Sequence, residues 1–217
     1  GKNLIGSFYQ PKLVVSDITF LNTLPKREII CGYGEILKHS LISNKNFFQF
    51  LNKNYEKILK FKSPLIEKTI YESCKIKKKV VEKDEKEKNI RKILNFGHTF
   101  AHAYEATLNF SKRLNHGEAV ILGMTTALKF SKSNNYLPLK EFKIITSHIK
   151  NFNLPNDIRK YFSLKDIKKI LSFMSNDKKN NTNKINLILL KKIGSPLVNE
   201  KFDRKKLKIF LYKELSN

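Results

Sequence analysis

The stretch Asn95-Phe96-Gly97-His98-Thr99-Phe100-Ala101-His102 opens an apolar helical run and carries two histidines four residues apart. Helical spacing puts His98 and His102 on one face, at the separation used by metal-ligand pairs. Spacing alone admits two readings, a metal pair or a histidine pair satisfied by its neighbours. Working outward, a third histidine stands in Asn115-His116-Gly117-Glu118, just ahead of a long apolar run, and an isolated acid, Glu35, lies upstream in Gly34-Glu35-Ile36-Leu37-Lys38-His39. These residues compose a candidate His/His/Glu metal site.

The surrounding pattern predicts a mainly α chain with a short strand or loop segment at its start and little sheet. Gly1 to Pro11 reads as loop, Leu13-Val14-Val15 as a short strand and Ser16 to Leu24 as turns. Pro25 suits a first helical turn, and Ile29, Ile30, Ile36 and Leu37 carry a helix to about Ile42, with Glu35, Lys38 and His39 spaced to share a face. A second helix runs over about 46–60. A third, capped by Ser63 ahead of Pro64, runs to about Asp84 with Ile70, Cys74, Lys77 and Val81 as its apolar stripe. A lysine among core positions must snorkel or meet an anion. Asp84 to Asn89 reads as a solvated turn, and Ser111 to Asn115 as a polar break before a central helix through Ala119–Ala127. Further helices are expected over 139–150, over 164–174 with a Ser163/Asp166 box, and from Asp203 to Leu215, with one strand at 185–190.

The chain of 217 residues carries 43 Lys+Arg against 19 Asp+Glu, a formal charge of +24. Such a balance ordinarily suggests nucleic acid. Here the lysines are spread over nearly every helix among many Asn and Ile, so the expectation is no nucleic-acid partner and a field that favours a small anionic substrate. Two cysteines, Cys31 and Cys74, fit a reducing compartment better than a disulfide framework. No apolar run reaches membrane-spanning length, so a cytoplasmic protein with no membrane partner is expected.

Leu94 to Glu105, then His116-Gly117-Glu118-Ala119-Val120, and Gly1 to Pro11 at the start closely resemble 3-dehydroquinate synthase, and the likeness runs in order to about Gly194. It includes Leu24-Pro25 with Arg27-Glu28, Val80-Val81 and Asp177-Lys178-Lys179. The resemblance implies the multihelical C-terminal domain of that fold. It divides the chain at 24/25, with 1–24 closing a nucleotide-binding domain and 25–217 forming the metal- and substrate-binding domain. The chain begins with Gly1 and has no Gly-rich phosphate-binding turn, so it reads as the C-terminal portion of a larger enzyme, inactive without its upstream domain.

The resemblance also implies roles. Glu35, His98 and His116 hold one divalent metal, zinc or cobalt, so the family pattern selects His116 where spacing alone would have paired His98 with His102. Asn3, Lys38, Lys77, Arg91, Asn95, His102 and Lys178 (or its neighbour Lys179) contact a sugar phosphate, 3-deoxy-D-arabino-heptulosonate 7-phosphate. Lys2 and Phe20, Leu21, Asn22 and Thr23 touch NAD. The implied reaction is oxidation of the C5 hydroxyl, β-elimination of phosphate, return of the hydride, ring opening and aldol closure to 3-dehydroquinate. This is a shikimate-pathway step toward chorismate and the aromatic amino acids, and family analogy implies a homodimer. Taken singly, each lysine except Lys77, on its apolar face, and Lys38, one turn from Glu35, reads as an ordinary surface charge, Lys2 as a mobile terminal residue and the Phe20–Thr23 segment as a helix-capping turn. Ala101, where the family more often has glycine, and His39, where it often has tyrosine, depart from the pattern, and His39 competes as a possible ligand. The alternatives are another sugar phosphate cyclase, a metal-dependent alcohol or glycerol dehydrogenase, and a folded but non-catalytic fragment or basic binding module.

Overall fold

The fold was taken from a computed structural model, which describes residues 6, 9, 11–175 and 184–216. Eight helices and one hairpin follow in chain order among these residues: α1 Lys26–Ser43, α2 Lys45–Leu59, α3 Leu65–Lys83, α4 His98–Thr107, α5 His116–Ser133, α6 Leu139–Asn151, α7 Ile167–Met174, β1 Lys184–Lys192, β2 Ser195–Asp203 and α8 Arg204–Ser216. The mainly helical class is as the periodicity predicts.

Helix α5 is the axis of the molecule. Thirteen of its eighteen residues are buried, so it is apolar all round and needs partners on every side. α1, α4, α6 and β1 pack against it. Its buried hydroxyls do not go unsatisfied: Thr125 and Ser131 donate to carbonyls one turn back, at Ile121 and Ala127, and Thr126 donates to Leu122 O while accepting from the Tyr104 hydroxyl at 2.9 Å.

The hairpin supplies the small sheet. Ile185 pairs with Phe202 and Leu189 with Leu197, antiparallel, and the turn docks on the end of α1 where Gly194 N–H donates to Leu41 O at 2.8 Å. β1 buries Ile185 and Leu187–Leu190 against α5, whereas β2 is half-buried along most of its length and carries Pro196 and, at φ 62°, Asn199. That irregular, charge-rich strand has no period-two signature and was not anticipated.

Three local expectations are corrected. Leu13-Val14-Val15 is unpaired and 72–79% exposed, so it forms no strand. Pro64, not Ser63, occupies the cap position of α3, with no side-chain cap bond. The buried stripe of α3 is Ile66, Thr69, Ser73, Ile76 and Val80, rotated by one residue from the predicted one, and Lys77 is exposed. Small hydroxyl residues take the inward positions there because Ser73 bonds His39 and Thr69 bonds its own backbone at Leu65 O. Cys31 and Cys74 are both free thiols, half-buried and exposed respectively.

Candidate metal centre

Two close approaches bring three helices to one point. Gly97 caps α4 at φ 82°, a left-handed conformation, and a Cβ there would lie 2.6–2.7 Å from Met124. Gly117, the residue after His116, packs so tightly that a Cβ would sit 2.4 Å from Cys31 Cα. Helices α4 and α1 therefore press directly on α5 beside His98, Glu35 and His116.

The three histidines of the sequence motifs cluster. Ring centroids are 5.4 Å apart for His98 and His102, 5.7 Å for His98 and His116, and 6.0 Å for His102 and His116. His98 is 13% exposed at its side chain, with Nδ1 turned to Phe96 O at 3.4 Å and Nε2 facing Glu35 Oε1 at 3.9 Å. That carboxylate oxygen is buried and has no hydrogen-bond partner among the described residues. A buried acceptor without a donor is costly unless a cation meets it. Two ligand atoms at about 2.0–2.1 Å from a tetrahedral zinc stand about 3.4 Å apart, so the 3.9 Å gap needs only a small closure to share an ion.

Electrostatics favour the coordinating forms. Burial, with Lys38 nearby, lowers the His98 imidazole to about 3, so the ring is neutral and keeps a lone pair at neutral pH. Burial resists ionisation of Glu35, but Lys38 outweighs it and holds the carboxyl below its usual range. Lys38 itself is only 3% exposed and donates to Glu35 Oε2 at 2.7 Å, so the two carboxylate oxygens divide their roles: one takes the ammonium, the other stays open. Burial and the neighbouring Lys77 lower the Lys38 ammonium, while Glu35 opposes them. Although exposed, Lys77 thus still acts on this site, which replaces its predicted core position with a rim position.

His39, the other candidate ligand, bonds away from the three clustered histidines at its Nδ1. It is buried with Nδ1 2.7 Å from Ser73 Oγ, on the α3 side of α1. His116 opens α5 behind a capping box of Asn115 and Glu118, and its Nδ1 lies 3.1 Å from both oxygens of Glu105. The loop before it is clamped by Arg27, which donates to both Glu118 oxygens at 2.5 and 2.7 Å and to Lys112 O at 2.7 Å. Neither Glu105 nor the Arg27–Glu118 pair was assigned a role from sequence. For Glu105 the signal was present: it follows His98 by seven and His102 by three, on the same helix face.

The remaining predicted contacts divide. Arg91 and Asn95 lie on a 3-10 turn, Ile90–Asn95, that packs against α1, α3 and β2. Both reach back to the preceding charged loop, Arg91 to Glu85 O and Asn95 to Glu87, and Asp84 organises that loop by accepting three backbone N–H bonds. Phe20, Leu21, Asn22 and Thr23 belong to another 3-10 turn, Ile18–Thr23, whose hydrogen bonds close within the segment, with Phe20 69% exposed. Lys2, Asn3, Lys178 and Lys179 lie outside the described residues.

Comparison with known proteins matches residues 32–180 to a family model described as 3-dehydroquinate synthase C-terminal and residues 1–31 to one described as 3-dehydroquinate synthase N-terminal. Among curated relatives, 3-dehydroquinate synthase of Pelagibacter ubique is 64% identical over 216 residues, all of this chain and 59% of the relative. That of Alkaliphilus metalliredigens is 44% identical over 87% of this chain and 52% of its own length. The chain thus spans between half and three-fifths of these relatives. Among solved structures, a 2-deoxy-scyllo-inosose synthase complexed with carbaglucose-6-phosphate, NAD+ and Co2+ matches with a TM-score of 0.80 and 25% identity, over 98% of this chain and 59% of its own. The fold of 2-epi-5-epi-valiolone synthase from Streptomyces hygroscopicus is also shared, with a TM-score of 0.83 at 19% identity, over 99% of this chain and 58% of that one.

Proposed function

The chain belongs to the 3-dehydroquinate synthase family, and from that premise we propose that it supplies the metal- and substrate-binding part of an enzyme that converts 3-deoxy-D-arabino-heptulosonate 7-phosphate to 3-dehydroquinate and phosphate. The observation that carries this reading is Glu35 Oε1, a buried carboxylate oxygen without a partner among the described residues, facing the neutral His98 Nε2 at 3.9 Å with His116 beside it. Glu35, His98 and His116 would hold the ion, zinc or cobalt. The donor set of one carboxylate and two imidazoles leaves positions open, as catalytic zinc sites do. When bound, the metal supplies Lewis acidity and a template for substrate hydroxyls, and NAD supplies a hydride acceptor that is restored within the cycle.

The chain's own residues then do the following. Lys38, dehydrated and paired to Glu35, keeps that carboxylate ionised and offers N–H donors to a substrate oxygen. Lys77 and Arg91 are cationic partners for the substrate's phosphate and carboxylate, Arg91 through a planar fork. Asn95 and His102 offer further donors, and Asn3 and one of Lys178 and Lys179 are assigned here by the family pattern. Binding of an anion by Arg91 and Asn95 requires exchange of their present contacts with Glu85 O and Glu87. Lys2 and the Phe20–Thr23 turn are proposed for the nucleotide side, 1–24 and 25–217 as the two parts of the chain, and a homodimer as the assembly.

The test is phosphate release and dehydroquinate formation by the complete protein with NAD and zinc. 3-Deoxy-D-arabino-heptulosonate 7-phosphate should be the preferred substrate over glucose 6-phosphate and sedoheptulose 7-phosphate. A preference for either of the latter would favour another sugar phosphate cyclase, the class to which both structural neighbours belong. Residues 1–217 alone should bind zinc and form no dehydroquinate; turnover by them would overturn the fragment part of the proposal.

A further inference from the structure

The ring of His116 is held by a carboxylate outside the proposed ligand set. Its Nδ1 lies 3.1 Å from Oε1 and 3.1 Å from Oε2 of Glu105, whose side chain is 12% exposed against 51% for His116. His98, His102 and Glu105 follow at four and three residues along one face of α4, and His116 meets that face from the first position of α5. Glu35, Glu105 and His116 line one open cleft.

We propose that Glu105 is the positioning residue of the metal centre: its carboxylate accepts the Nδ1–H of His116, fixes that tautomer and leaves the Nε2 lone pair for the ion. This inference rests on the metal-centre reading above. An imidazole that binds a cation through one nitrogen carries its proton on the other, so an acceptor at Nδ1 selects the coordinating tautomer before the ion arrives. The carboxylate also offsets the positive charge the ring acquires on coordination, and it restrains a half-exposed side chain that would otherwise lose rotamer freedom on binding.

The competing assignment makes Glu105 itself a ligand, because His102, Glu105 and His116 each offer an atom within 4.8 Å of the others. Two observations favour positioning. Both Glu105 oxygens straddle His116 Nδ1 at equal distance, the geometry of an acceptor and its donor. Glu35 already provides a buried carboxylate oxygen without a partner among the described residues, so the donor set has its oxygen without Glu105.

The experiment is a chelator-competition zinc titration of the full chain for wild type, Glu105→Gln, Glu105→Ala and, as the reference for a lost ligand, Glu35→Ala. It is joined to two-bond 1H–15N imidazole spectra of the zinc-free proteins. The expected result is one zinc in wild type and in both Glu105 variants, with affinity lower by about 10–100-fold in Glu105→Ala, the range for outer-shell partners of metal-bound histidine, and by less in Glu105→Gln, whose amide oxygen still accepts. The zinc-free His116 ring should be Nδ1-protonated in wild type and a tautomer mixture in Glu105→Ala, a change that a purely structural role would not produce. Unchanged affinity and tautomer in Glu105→Ala overturn the inference, as does loss of zinc in Glu105→Gln as complete as in Glu35→Ala, which would make Glu105 a ligand. If Glu105→Ala fails to fold, Glu105→Met, similar in length and without a carboxylate or amide acceptor, carries the same comparison. Absence of zinc from wild type would instead overturn the metal-centre reading itself, and the two failures are distinct.

Discussion

Glu35 shows how one side chain sets both the charge and the cost of this site. Its Oε2 takes the Lys38 ammonium and its buried Oε1, without a hydrogen-bond partner among the described residues, faces His98. Glu35→Gln keeps the shape and removes the charge. Zinc affinity should fall by more than the about 100-fold typical of outer-shell changes, read by chelator competition. The zinc-free variant should lose about 1–2 kcal/mol in urea unfolding, a figure reduced from that of a fully buried pair because Glu35 is 38% exposed. A second buried group acts far from the cleft. His148 is 1% exposed in an aromatic cage, accepts from the Tyr33 hydroxyl at Nε2 and donates from Nδ1 to Asn52 Oδ1, and burial lowers its imidazole to about 4 from 6.5. Between those values the unfolded chain binds a proton that the folded chain refuses, so stability is full above pH 6.5 and falls as pH drops toward 4. The contribution is about 3 kcal/mol at most. His39 shifts the same way, which is why the check compares wild type with His148→Gln: urea unfolding at pH 7 and pH 4.5 should show a smaller acid loss in the variant.

At the scale of helices, the site depends on how closely α1 and α4 approach α5. A methyl at Gly117 would meet Cys31 Cα at 2.4 Å, and backbone cannot yield as a flexible side chain can. Gly117→Ala should therefore destabilise the protein by about 1–3 kcal/mol despite alanine's better helix propensity, and it should weaken zinc binding by moving Glu35 away from His116. Denaturant unfolding and zinc titration of the same variant check both; a more stable protein with unchanged zinc affinity would show that α1 can shift freely. The helices themselves were readable from sequence, because apolar periodicity and polar breaks mark α1, α2 and α6 to within about a residue and the starts of α4 and α5. What sequence could not settle was rotation and partnership. The stripe of α3 was misplaced by one residue because Thr69 and Ser73, polar by type, are buried by their hydrogen bonds, and Lys77 moved to the surface as a result. β2 was unreadable because its pairing with β1 outweighs a local pattern broken by Pro196 and Asn199. For the candidate centre, spacing pointed to α4 with Glu35 as a candidate acid, and the resemblance selected His116 over His102, but the 3.1 Å contact between Glu105 and His116 links residues eleven apart across a turn and depends on how α4 and α5 pack.

The molecule as a whole carries a charge of +24 that no single patch explains. Exposed lysines lie on nearly every helix, while the cations proposed to meet substrate are few: the buried Lys38, the rim residue Lys77, the half-buried Arg91 and one of Lys178 and Lys179. A diffuse field and a local cluster act on different quantities. The field raises the encounter rate of a polyanionic substrate and is screened over about 8–10 Å at moderate salt; a contact inside the cleft is screened far less and acts on binding and turnover. With the complete enzyme, raising NaCl from about 20 mM to about 200 mM should lower kcat/KM by about 3–10-fold while kcat stays nearly constant, provided that encounter limits kcat/KM. Replacing one exposed lysine remote from the proposed substrate contacts, Lys143 or Lys168, with Gln should leave kcat/KM almost unchanged, because the field is shared among many charges. Lys38→Gln should lower kcat/KM by about 100-fold or more, as loss of a buried charge-assisted contact does, and the loss should persist at high salt. Equal sensitivity of Lys143→Gln and Lys38→Gln would mean that the substrate is held by the surface field and not by the cleft.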